Sequence, residues 1–143
     1  MDQTAEFNWV TARNACSVVA MFIQLKDEVL ADLNCAKELF KGSGRSFDFK
    51  AGRDKFTVFE GIGPLRTVAF SLNDTRTAIL VEHDNGDGSQ DEAIHVTLTL
   101  NKERQCRFMV KGEELESWQL RKKVLERLFF TVPVAGGNSF KLL

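Results

Sequence analysis

Tyrosine is absent from the 143 residues, proline is confined to Pro64 and Pro133, histidine to His83 and His95, and cysteine to Cys16, Cys35 and Cys106. The missing phenol excludes tyrosine general acids, tyrosine nucleophiles and tyrosine-rich recognition surfaces. The aromatic bulk comes from 12 Phe and 2 Trp, residues that mostly fill cores. Three cysteines, an odd number with no C-x-x-C pair, spell neither a disulfide framework nor a zinc knuckle and are expected as reduced thiols in a cytoplasmic protein. Neither charge sign dominates. With 19 basic and 20 acidic residues the net charge is -1, so no whole-molecule field draws in nucleic acid or an anionic membrane. Long apolar runs are lacking too: Val18 to Leu25 is interrupted by Gln24 and ended by Lys26-Asp27, well short of the roughly 20 apolar residues of a membrane span. The start, Met1 to Glu6, is acidic where a secretory signal is basic.

What is present is ordinary globular usage, 43% hydrophobic and 27% charged. A chain of this length buries roughly 70% of the surface that its unfolded form exposes. No repeat, low-complexity tract or Pro/Ser-rich linker divides it, so residues 1–143 are expected as one domain, with 131–143 as an apolar-ended tail.

The short aromatic and β-branched segment Phe7–Thr11 suits either a first strand, the favoured reading, or a lead-in that packs before the following helix. From Ser17 to Lys41 the apolar positions Val18, Phe22, Leu25, Val29, Leu33, Ala36 and Phe40 recur at spacings of three and four, and Gly42 follows as a stop. That predicts an amphipathic helix roughly 37 Å long, enough to cross a sheet. Between Arg45 and Glu116 the period changes to two and every gap is of hairpin length, the pattern of an antiparallel meander. The predicted strands are 45–50, 55–61, 66–72, 76–83, 93–100 and 105–111, with 113–116 as a candidate seventh. A last helix begins near Ser117, read as its N-cap, and carries Leu120, Val124, Leu125, Leu128 and Phe129 on one side. The tail then holds a Gly136-Gly137-Asn138-Ser139 hinge before Phe140-Lys141-Leu142-Leu143. Its apolar end needs either the chain's own sheet edge or a neighbouring chain. The predicted class is α+β: a long and a shorter helix packed on an antiparallel meander of about six strands. The order resembles that of helix-grip folds, in which a curved sheet wraps a helix and often encloses an apolar pocket. That resemblance is topological and implies no chemistry.

Each candidate site meets a plain structural alternative. The loop Asp84-Asn85-Gly86-Asp87-Gly88-Ser89-Gln90-Asp91-Glu92 has carboxylates for a hard cation, but glycines fall where an EF-hand places side-chain oxygens, so it reads as a solvated acidic loop. His83 and His95 flank it; pairing Val81 with Val96 puts the two imidazoles on opposite faces, where they cannot share a zinc ion. Cys16 and Cys35 are roughly 28 Å apart by helical rise and cannot bond, and Cys106 alternates with Phe108 and Val110 on an apolar face, as a buried thiol does. A polar face of Arg66, His95, Thr97, Thr99, Arg107 and Lys111, with Arg121, Lys122, Lys123 and Arg127 of the last helix, forms a basic patch, but interleaved Glu113, Glu114, Glu116 and Glu126 argue against nucleic acid. Gly61-Ile62-Gly63-Pro64 reads as a turn rather than a phosphate cradle, because no helix follows it. Trp9 and Trp118, each with apolar neighbours, are expected in the core.

No catalytic, cofactor or metal residue is assigned. The primary expectation is a non-enzymatic interaction protein acting on a protein partner or on a second copy of itself. The alternative is a carrier or enzyme with an apolar pocket lined by Phe22, Leu25, Val29, Phe47, Phe56, Phe70 and Val96.

Overall fold

The computed structural model describes residues 6–61, 66–86, 91–133 and 140–142. The acidic start Met1–Ala5, most of the Gly61–Pro64 turn, residues 87–90 of the acidic loop and the glycine hinge of the tail lie outside the described residues.

The chain begins with a short helix where a strand was predicted: α1 spans Trp9–Ala15. The reason is local, since the Asn8 side chain accepts the Thr11 backbone N–H at 3.1 Å and so caps a first turn. The predicted long helix follows as α2, Val18–Leu39, with the Ser17 hydroxyl accepting the Ala20 N–H at 3.1 Å. Its stripe faces inward as the spacing required: Phe22, Leu25, Val29, Leu33 and Ala36 are buried, while Val18 and Phe40 pack against the core at its ends.

Seven strands come next: β1 Phe47–Ala51, β2 Lys55–Glu60, β3 Arg66–Leu72, β4 Ile79–Asp84, β5 Ile94–Leu100, β6 Cys106–Val110 and β7 Glu113–Leu115. They form one open sheet in sequence order, each strand antiparallel to the next. The last turn is a two-residue connection in which Lys111 (φ 50) and Gly112 (φ 82) both take the left-handed conformation, the requirement of a type I′ hairpin. The register between β4 and β5 differs from expectation. Val96 lies opposite Ile79 rather than Val81, and Val81 lies opposite Ile94. The long connection between these strands imposes no tight turn, and a slip of two residues leaves every side chain on its expected face.

Helix α3, Ser117–Phe130, ends the core. Glu116, not Ser117, is its N-cap: the Gln119 side-chain carbonyl accepts the Glu116 backbone N–H at 2.8 Å, while the Ser117 hydroxyl is engaged with Glu28. Both long helices cover one face of the sheet, where Phe56, Val58, Val68, Phe70, Ile79, Val81, Val96 and Phe108 meet them. After α3, Thr131–Pro133 (β8) pairs with Phe140–Leu142 (β9), so the tail folds back on itself as a two-stranded ribbon.

Candidate protein-binding groove

Three ionic side chains fix where α3 ends. Glu60 and Arg66 close the β2–β3 hairpin at its inner face, where apolar residues would be expected, and both are buried. The Glu60 carboxylate accepts from Arg66 Nη2 at 2.6 Å and from Arg45 Nε at 2.9 Å. The same guanidiniums reach the last turn of α3: Arg45 donates to Phe129 O at 2.6 Å and Leu128 O at 2.9 Å, and Arg66 to Leu128 O at 3.0 Å and Thr131 O at 2.9 Å. Carbonyls at a helix C-terminus have no partner within the helix and carry its negative dipole, so the net positive charge of the cluster is matched. Burial raises the Glu60 pKa, but the hydrogen bonds and charges of Arg45 and Arg66 outweigh it and hold the carboxyl below its ordinary value.

At its other end α3 is tied to the middle of α2 by partly exposed groups. Ser117 Oγ donates to Glu28 at 2.6 Å, and Arg121 Nη1 to Asp32 at 2.7 Å. Beyond these contacts the two helices leave a groove of about 370 Å3, with Ala36, Leu125 and Phe129 among its lining and Leu39, Trp118 and Phe130 at its rim. From Trp118 to Phe130 it runs roughly 18 Å along α3. The rim is unusually apolar for a surface: Leu39 is 66% exposed, Trp118 54% and Phe130 38%. Trp118 also walls a second depression, beside Glu113, Leu115 and Lys123, so its indole stands as a ridge between two hollows. Among the described residues, the exposed thiol of Cys35 is the one strong nucleophile lining the groove, and no histidine lines it.

The structure separates most of the residues that the sequence put forward. Trp118 is at the surface rather than in the core, and Trp9, 64% exposed on α1, is there as well. Helix α1 buries none of its residues, and Trp118, in line with Leu125 and Phe129, stands in the first turn of α3 at the mouth of the groove. Arg66 does not belong to the polar face: it lies on the inner face with Val68 and Phe70 because Glu60 stands opposite to neutralise it. His95 and Arg107 lie on the uncovered face and α3 on the covered one, so the basic patch is divided between two sides of the sheet. Of the α3 cations, Lys122 pairs within the helix with Glu126 at 3.1 Å, and Arg127 pairs with Asp91 of the acidic loop at 3.0 Å. The histidines lie on opposite faces as expected; His83 Nε2 is 2.8 Å from Val124 O, and His95 faces solvent. Among the described residues no group of three or more His, Cys, Asp or Glu could hold a metal ion. In the acidic loop, Asp84 accepts the Gly86 N–H at 2.9 Å, an ordinary turn. The seven residues that would line a carrier pocket are all buried, and the rings of Phe22, Phe56 and Phe70 touch, with centroids 5.1 and 4.6 Å apart.

The cysteines give the plainest correction. Cys16 and Cys106, expected as separate reduced thiols, are joined by a disulfide with 5.4 Å between their α-carbons, leaving Cys35 free. Cys16 is buried between α1 and α2, and Cys106 lies on the inner face of the sheet in line with Phe108. That inward placement was the only signal, because 90 residues separate them.

These features define an α+β protein with two helices on one face of an antiparallel meander and an apolar groove between the helices. Comparison with family models, with curated proteins and with solved structures finds no match to this chain.

Proposed function

We propose that the protein is a non-enzymatic interaction module whose α2–α3 groove receives an apolar-faced segment of a protein partner, a second copy of the chain being one such partner. The observation that carries this reading is the collection of Leu39, Trp118 and Phe130, all exposed, around one concave apolar groove. Exposed aromatic side chains beside a pocket are the usual anchors of protein interfaces, and a trough between two helices suits an amphipathic helix. No helix among the described residues is long and apolar enough to cross a membrane. A cytoplasmic location is part of the proposal on the condition that the Cys16–Cys106 bond is transient there, since lasting disulfides belong to oxidising compartments.

Cys35 offers a direct test, being a free thiol that lines the groove. A photoactivatable benzophenone attached to it is expected to cross-link one recurring protein, or a second copy of the chain, at defined residues. The product should be lost in the Leu39→Ala/Trp118→Ala double variant. Scattered cross-links that survive those substitutions would remove the groove from consideration.

A further inference from the structure

The sheet is not bonded equally across its width. β2 pairs with β3 along its whole length, and β3 with β4 along the whole of β4, whereas β4 meets β5 only at Ile79–Val96, Leu80–His95 and Val81–Ile94. Beyond those pairs, Glu82–Asp84 on one side and Thr97–Leu100 on the other have no strand partner across the seam among the described residues. β5, β6 and β7 pair with one another below it. The chain thus contains a four-stranded part and a three-stranded part joined by a short ladder.

Helix α2 belongs chiefly to the larger part: Phe22 contacts Phe56 of β2, and Phe40 contacts Phe47 of β1. Its head carries Cys16, which is bonded to Cys106 of β6 in the smaller part. One covalent bond therefore links the two parts at the Leu100 end of β5, beyond the three-pair β4–β5 ladder; besides that ladder, α3 bridges them by packing on β3, β6 and β7. We propose that the Cys16–Cys106 disulfide is a redox-responsive staple across the β4–β5 seam, and that its reduction loosens the β5–β7 unit from the body of the sheet. This inference does not rest on the groove reading.

The chemistry is ordinary thiol–disulfide exchange with a dithiol as reductant. Cys16 is 2% exposed and Cys106 only partly buried, so the incoming thiolate attacks Cys106 Sγ. A mixed disulfide forms there and Cys16 leaves as a thiolate, which takes up a proton. The second thiol of the reductant then closes its own disulfide and releases Cys106, for a total of two electrons and two protons transferred to the protein.

Hydrogen exchange of the full-length protein, before and after treatment with dithiothreitol, tests this. In the reduced protein the amides of residues 79–81 and 94–96 are expected to lose protection about tenfold, while those of 56–59 and 67–70 change by less than about threefold. A Cys16→Ser/Cys106→Ser variant should reproduce the reduced pattern without reductant. Equal loss in both regions, including complete unfolding on reduction, would mean that the bond is a general stabiliser and not a seam staple. Unchanged protection, or three titratable thiols in protein purified without reductant, would overturn the proposal as well. The wild-type comparison decides the matter even if the double variant fails to fold.

Discussion

The two ends of α3 are held by opposite means. At Leu128–Thr131 the helix is gripped by buried guanidiniums that share one carboxylate, with side-chain exposures of 4% for Arg66, 12% for Arg45 and 8% for Glu60. At Ser117–Arg121 it is held by an ion pair and a hydroxyl that remain partly in water, Arg121 at 17% and Asp32 at 34%. Desolvated charges have nowhere to turn when a partner is lost, whereas exposed ones are rehydrated. The groove runs past both ends: the fixed end sets the angle of α3 on the sheet, and at the Trp118 end small adjustments of the helix cost little.

That contrast is broken most severely at Glu60. Glu60→Ala leaves the guanidiniums of buried Arg66 and half-buried Arg45 without their shared carboxylate and is expected to remove about 3–5 kcal/mol of stability in urea denaturation. Arg66→Ala follows at roughly 3 kcal/mol and Arg45→Ala at about 2, because Arg45 is nearer to water although it also stacks on Phe40 and Phe47. Acid should reach the same end of the helix without mutation. The folded-state pKa of Glu60 lies below the ordinary 4.5, so its contribution is present above that value and is lost as the pH falls through the lowered folded pKa. A melting-temperature series from pH 6 downward should accordingly show an acid-side loss that is reduced in Glu60→Gln. At the other end the effects shrink: Asp32→Ala is expected to cost about 0.5–1 kcal/mol. Trp118→Ala should change stability by less than about 0.5 kcal/mol while abolishing Cys35 cross-linking, and a larger loss of stability would place the indole in the core after all.

The contrast also explains what the sequence made legible. The stripe of α2 and the alternation of β2 to β6 are periodic properties of single elements, so the helices, the meander and the inner face could be read before any packing was known. The clamp could not, because Arg45, Glu60 and Arg66 each look like strand-end charges on their own. A signal was nevertheless there: Glu60 keeps phase with Phe56 and Val58, and Arg66 with Val68 and Phe70, so opposite charges point inward across one hairpin. The hydrophobic neighbours of Trp118 point to the core, and it does share the side of α3 that carries Leu125 and Phe129, but in the first turn of the helix that side borders the groove, where the indole stays 54% exposed. The disulfide was hidden by distance along the chain, and the three-thiol count pointed away from it.

Strand order carries a kinetic consequence. Because every strand of the seven pairs with its neighbour in sequence, each new ladder closes only a hairpin, and the loop entropy paid at each step is small. The distant closures are the docking of α3 against β3 and the joining of Cys16 to Cys106. Contacts of that span slow a folding chain more than sequential hairpins do, so the rate-limiting event in refolding is expected to be the seating of α3, with the sheet formed largely beforehand.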